Sequence, residues 1–214
     1  MTPISQLPKP TQVNKVIPKN AFDSYCTAQQ KRLFTEKVEK IRWTNKLAWE
    51  TINLPSVQIK EIQCFEIDLR DREGIDEVLK IIDRAIPYPI LFSLSFGTFM
   101  KRLISQKHPH PTNEDNAVVD WTFESPWTAE PIEIHFDLRE NLDEVFRRLC
   151  LAVSGENELQ MGIDQLVTFK KESQDLESKI QKIKSRIANE KQFNRRVELN
   201  LELQTLERRL KYLV

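Results

Sequence analysis

Apolar residues recur in several distinct rhythms along this chain, and the clearest rhythm fills the last fifty residues. There Leu176, Ile180, Ile183 and Ile187 form one run at alternating four- and three-residue steps. Leu199, Leu203, Leu206, Leu210 and Leu213 form a second. Such spacing places one narrow apolar stripe on a highly charged helix, as in the seam of a coiled coil. Continuing the first run lands on Glu190 and Asn194, so the register breaks between the two. The pattern predicts two antiparallel helices, about 164–189 and 195–213, whose stripes bury each other. One continuous helix paired with a second copy is the competing arrangement.

Upstream the rhythm changes repeatedly. Residues 1–20 carry prolines at 3, 8, 10 and 18 and read as an extended arm, with Leu7, Val13, Val16 and Ile17 available to lie on a domain surface. Phe22, Tyr25, Cys26, Leu33, Phe34, Val38 and Ile41 follow helical spacing, which predicts helix through 21–47. Residues 61–70 alternate as a strand, with one slip at Cys64 or Phe65 that suggests a bulge. Ile75, Val78, Leu79, Ile82 and Ile86 predict a helix, ended by Pro87-Tyr88-Pro89. Two strands, 90–96 and 99–105, bracket a Gly97-Thr98 turn. A polar loop over 107–116, strands over 117–124 and 132–136, and a helix over 142–153 capped by Asn141 complete the series. The expected architecture is α+β: a mainly antiparallel sheet covered by helices over 21–155, an arm over 1–20, and a helical hairpin over 163–214.

Composition narrows the class. The chain is 40% hydrophobic and 30% charged with only four glycines, which disfavours glycine-rich phosphate loops. No apolar run approaches the roughly 18 residues of a membrane span, and the first residues lack the regions of a signal peptide. Three widely spaced cysteines, Cys26, Cys64 and Cys150, suit reduced thiols. A soluble cytoplasmic protein is expected. Its net charge of zero conceals an asymmetry. Residues 1–60 hold ten Lys and Arg against four Asp and Glu, residues 61–162 ten against twenty, and residues 163–214 twelve against eight. Basic ends around an acidic middle suit nucleic acid, or mutual attraction between the parts.

Candidate chemistry is sparse. His108, His110 and distant His135 offer three ligand atoms, but without Cys-x-x-Cys or His-Glu-x-x-His spacing a polar loop is the plainer reading. Glu66, Asp68 and Asp120 are the carboxylates that could gather a magnesium ion for a nuclease. No acid-x-Lys accompanies them on a strand, and Glu66 and Asp68 also fit the solvent side of an alternating strand. No nucleophile elbow or nucleotide-binding loop is present, and no cofactor is implied. Lys40, Arg42, Trp43 and Lys46 interleave an aromatic ring with basic groups, the combination that unpaired bases and phosphates require. Packing of Trp43 into a core is the competing account. Arg195 and Arg196, near the register break, suit phosphate contact or capping of the preceding helix.

Four stretches taken together resemble one family. They are Leu7-Pro8-Lys9-Pro10-Thr11-Gln12-Val13-Asn14-Lys15, Lys40-Ile41-Arg42-Trp43, the run from Asp83 to Phe92, and the run from Glu190 to Asn200. They resemble a bacterial family classed only as a domain of unknown function, often encoded beside helicase and DNA methyltransferase genes in restriction or phage-defence clusters. The resemblance implies an accessory subunit that binds a helicase or methyltransferase, with DNA contacted directly or through that partner. Residual apolar positions of the hairpin, Phe169, Phe193 and Tyr212, would contribute to docking, and a homodimer through the helices is a further arrangement. The family offers no catalytic residues to carry over.

Overall fold

The structure is a computed structural model that describes residues 2–3, 6–130, 134–156 and 161–213, and every element below lies within them. The chain divides into two compact units, 1–159 and 160–214. In the first unit, β1 (Thr2–Pro3) pairs antiparallel with β8 (His135–Phe136). The main sheet holds β2 (Gln12–Ile17), β3 (Val38–Ala48), β4 (Glu61–Leu69), β5 (Ile90–Phe96), β6 (Phe99–His110) and β7 (Asn113–Glu124), side by side in chain order. Every pairing is antiparallel except β4 with β5, which α3 (Ile75–Ala85) connects. A parallel neighbour requires such a crossover, whereas the other strands join by short turns or meander back. The fold is therefore α+β with a mostly antiparallel sheet.

Two segments depart from the sequence expectation. Residues 21–47 do not form one helix. A 3₁₀ segment, Lys19–Tyr25, leads to α1 (Ala28–Lys37), and β3 begins at Val38 and runs to the one-turn α2 (Trp49–Ile52). Thr27 and Gln30 close a capping box that starts α1, with Thr27 Oγ1 accepting from Gln30 N at 3.3 Å. Beyond Lys37 the period becomes two: Ile41 and Trp43 alternate with Lys40 and Arg42, and the helical step from Val38 to Ile41 was coincidental. Likewise 107–116 is no loop, since β6 runs to His110 and β7 starts at Asn113. Pro109 is tolerated because β5 pairs β6 only as far as Ile104, so β6 is an edge strand on that side beyond it. The slip seen near Cys64 belongs to the neighbouring strand, where Thr44 is the extra residue between the Trp43–Phe65 and Asn45–Cys64 pairs. Its Oγ1 donates to Cys64 O at 3.1 Å.

One sheet face carries Ile41, Phe65, Ile67, Phe92 and Leu94, packed with Phe34 of α1 and Val78, Leu79 and Ile82 of α3. The arm is part of the fold: β2 is an edge strand, Leu7 is buried and Ile17 packs on this core. On the other face Ile62, Leu91, Ile104 and Phe123 are buried as well. Here α4 (Leu142–Ser154) lies on β6 and β7 with Val145, Phe146 and Leu149 inward. Asn141 caps α4 by accepting from Glu144 N at 2.8 Å. Asp143 in its first turn accepts from the backbone N–H groups of Val57, Gln58 and Ile59 at 2.7–3.0 Å. Burial pushes that carboxyl up, but the three donors outweigh it and hold it below the ordinary carboxylate range.

A buried ammonium joins the long β6–β7 hairpin to α3. Lys107 Nζ, with no exposed side-chain surface, donates to Asp83 Oδ1 at 2.7 Å and to the carbonyls of Asp83 and Ile86 at 2.8 Å each. Three protons meet three acceptors, two of which are carbonyls at the C-terminal end of α3 that the helix itself leaves without donors. Removing one charge strands the other: Lys107→Met is expected to lower stability by about 3–5 kcal/mol in urea titration. Adding Asp83→Leu to it should restore most of that loss. A cost for Lys107→Met under about 1 kcal/mol would show that the pair is not what fastens the hairpin to α3.

Candidate functional site

Strand alternation sorts the second sheet face into two halves. Where α4 lies, the side chains are apolar. Beyond it, Lys40 and Arg42 of β3, Glu66 and Asp68 of β4, Ser93 and Ser95 of β5 and Arg102 of β6 share one face, because Arg42 registers with Glu66, Lys40 with Asp68, Glu66 with Ser93 and Ser93 with Arg102. Lys40 and Arg42 of the one set picked out in the sequence thus meet Glu66 and Asp68 of the other. Arg42 donates to Glu66 Oε2 from Nε at 3.2 Å and from Nη2 at 3.0 Å, and its Nη1 lies 3.2 Å from Asp68 Oδ2. Ser95 Oγ donates to Asp68 Oδ1 at 2.8 Å, and Arg102 donates to Ser93 Oγ. Burial lowers the affinity of Arg102 for its proton, while the Glu66 charge opposes that trend. Arg42 and Glu66 keep 36% and 38% of their side-chain surface, so each pair is worth less than about 1 kcal/mol. The carboxylates are charge-compensated by an arginine fork, which leaves this a polar face of paired charges.

Asp120 does not join them. Asp68 stands level with Ser95 and Met100, whereas Asp120 lies between the residues that pair with Gln106 and Lys107. That is roughly 20 Å further along the strand direction, and three strands across. Asp120 instead faces His108 Nδ1 at 2.8 Å. Among the described residues no group of three His, Cys, Asp or Glu side chains is arranged to hold a metal ion. His110 Nδ1 accepts from the backbone of Thr112, and His135 lies on β8.

Nor do the four basic-aromatic residues form one surface. Trp43 registers with Phe65 and turns to the core face, its ring 6.3 Å from that of Phe65 and its Nε1 donating to Asn45 O. After the Thr44 bulge Lys46 registers with Gln63, on the face opposite Lys40 and Arg42. It is held by Glu50 at 2.7 Å and Glu61 at 2.8 Å, whose hydrogen bonds raise its proton affinity further. Lys40 alone of the four is an exposed cation with no partner among the described residues. Burial disfavours the thiolate of all three cysteines: it pushes Cys64 up to about 12, holds Cys150 well above the ordinary thiol range, and raises Cys26 with the help of Asp23.

The second unit is a helix pair. Helix α5 (Ile163–Asn189) and α6 (Phe193–Leu213) pack together and run antiparallel, since Lys184 Nζ meets Glu207 at 2.9 Å while Glu190 faces Arg195 at 3.6 Å. Leu176, Ile180 and Ile183 of α5 and Leu199 of α6 are buried, and Leu203, Leu206 and Leu210 half-buried. These are the seam positions read from the sequence. What that reading captured only in part is a second apolar stripe on α6. Val197, Leu201 and Tyr212, with Phe193 at the helix start, are 43%, 60%, 85% and 77% exposed. At about 100° per residue they lie on the side of the helix roughly opposite the seam. Phe169 of α5 is half-buried. Arg195 and Arg196 stand at the tip, where Arg195 lies 3.6 Å from Glu190 at the end of α5 and the Arg196 side chain has no partner among the described residues.

These surfaces define a mixed α+β domain followed by a helical pair that keeps one apolar face uncovered. The chain belongs to the family described as Domain of unknown function (DUF4391), whose model matches residues 6–210. No curated protein and no solved structure matches it.

Trp43 provides a test of structural against binding roles. Trp43→Ala is expected to lower stability by about 2–3 kcal/mol in chemical denaturation, as for a partly buried core aromatic. Lys40→Ala should leave stability within about 0.5 kcal/mol. Equal, small effects of the two would contradict the placement of Trp43 in the core.

Proposed function

We propose that this protein is a non-enzymatic accessory subunit of a cytoplasmic bacterial DNA-targeting defence or restriction-modification assembly, docking on a helicase or DNA methyltransferase. The observation that carries the docking is the outer stripe of α6. A helix that buries one apolar stripe against α5 has no internal use for a second on its far side, and leaving Leu201 and Tyr212 in water forgoes about 1.5–3 kcal/mol for each large side chain. Exposed apolar surface of this kind marks an interface. The assignment of partner class rests on the family resemblance and on the charge-compensated sheet face, which offers orientation by paired charges. Among the described residues no helix is long and apolar enough to cross a membrane.

The test is a tagged full-length chain recovered from its native host at moderate salt, beside a Leu201→Ser/Tyr212→Ser variant that retains the wild-type melting temperature. A helicase or methyltransferase should accompany the wild type in stoichiometric amount and fall at least tenfold with the variant, as for two anchors at the centre of an interface. Undiminished recovery with the variant would remove α6 from the interface. A wild-type homodimer that the variant dissolves would replace the heterologous partner with a second copy.

A further inference from the structure

We propose that the tip of the helical hairpin is a contact site for single-stranded nucleic acid, with Arg186, Arg195 and Arg196 on backbone phosphates and Phe193 stacked on an unpaired base. The inference does not depend on the docking of a protein partner along α6. It starts from charge. Residues 182–196 hold six Lys and Arg against a single acid, Glu190, in a chain whose overall charge is zero. Most of these cations are unspent. Lys184 is engaged by Glu207, but Arg186, Lys191 and Arg196 make no ion pair among the described residues, and Arg195 reaches Glu190 only at 3.6 Å.

The helix termini contribute little of this field, because the negative end of α5 lies beside the positive end of α6 and the two dipoles offset each other. The side chains therefore set the potential. Between the helices at the tip is a hollow of about 360 Å³ lined by Ser185, Arg186, Asn189, Glu190, Arg195 and Leu199. Two guanidinium groups flank it, and a guanidinium fork matches the oxygens of a phosphate. The Glu190 carboxylate opposes an anion there. Its Oε1, however, is occupied as acceptor for Gln192 N at 2.9 Å, and the hollow keeps a net positive charge from Arg186 and Arg195.

Phe193, the first residue of α6 and two residues ahead of Arg195 in the chain, keeps 77% of its surface in water, on the flank of the helix turned away from the seam. A phosphate site alone leaves the exposed ring unused, and a protein-docking stripe leaves the cations of 182–196 unused. Nucleic acid uses both, since base stacking on an aromatic ring accompanies neutralisation of phosphates. Duplex bases are already stacked, so the ring selects unpaired ones. DNA and RNA offer the same phosphates and base faces, and nothing at the tip favours one sugar.

The experiment is fluorescence anisotropy of the full-length protein with a labelled 20-nucleotide single strand of DNA, the same sequence as RNA, and the DNA duplex, across a salt series. Single strands should bind with log K falling against log salt at a slope of about −2 to −3, as for three or four neutralised phosphates. Arg195→Gln/Arg196→Gln should weaken binding at least tenfold and flatten that slope by about 1 to 1.5. Phe193→Ala should weaken single-strand binding about 5- to 50-fold, leave the slope unchanged and spare the duplex. Leu201→Ser should leave all three affinities unchanged, which separates the tip from the docking stripe. Equal affinity for the DNA and RNA strands supports a site that reads phosphate and base face alone. The proposal is overturned if no probe shows salt-dependent binding. It is equally overturned if binding survives the arginine and phenylalanine substitutions unchanged, since the nucleic acid would then lie elsewhere on the chain.

Discussion

A lysine ammonium with no water around it is costly to keep, and Lys107 is fully enclosed. What offsets the cost is the Asp83 carboxylate together with two carbonyls at the end of α3. Those acceptors exist only if α3 stops where it does, and Pro87 and Pro89 make it stop. The same turn delivers the chain into β5, parallel to β4. On the other side, Lys107 can reach Asp83 only because β6 continues past the end of β5 and folds its hairpin extension against α3. One ion pair therefore ties together the crossover helix, the parallel strand pair and the longest hairpin. Once these are fixed, the register that sets Glu66 beside Arg42 and Ser93 beside Arg102 follows from hydrogen bonding along the strands.

Among the described residues the candidate groups lie apart on several surfaces, and no three of the His, Cys, Asp or Glu side chains gather to hold a metal ion. The sheet face pairs its acids with an arginine fork, burial raises the three thiols, and His108 and His110 find separate partners. The helical pair differs in kind. Its seam satisfies itself, and the outer stripe of α6 and the basic tip have no internal use. On the two proposals above, a stripe and a tip at different positions on one hairpin would let a single element touch a protein along its length and an anion at its end.

The sequence showed the helical pair almost residue for residue, because a stripe at four- and three-residue steps must be buried against another helix, and a break at Glu190 marks the turn. Helices α3 and α4 and strand β5 were equally plain from periodicity and caps. Strand β3 was not. Val38 and Ile41 fall at a helical step by chance, and the charged half of an alternating strand looks polar in any frame, so Lys40, Arg42 and Trp43 were read onto a helix. That error assembled a mixed aromatic-basic surface which the pleat divides between two faces, and the Thr44 bulge sends Lys46 to the far side. The extension of β6 through His108-Pro109-His110 was hidden by proline, which forbids central strands but not edge ones. Convergence of Glu66 with Arg42 is a matter of register between strands, which periodicity along one strand does not encode. The second stripe on α6 was visible only as isolated residues, since two opposed stripes cancel the one-sidedness by which an amphipathic helix is recognised.

The central claim, that the outer face of α6 is built to be covered by a partner, is met most directly by hydroxyl-radical footprinting of the full-length protein as recovered from its host, compared with the protein purified alone. Leu201 and Tyr212 should be modified rapidly in the isolated chain and be strongly protected in the recovered assembly, while the buried Leu199 stays protected in both. Equal modification of Leu201 and Tyr212 in the two samples would contradict the account.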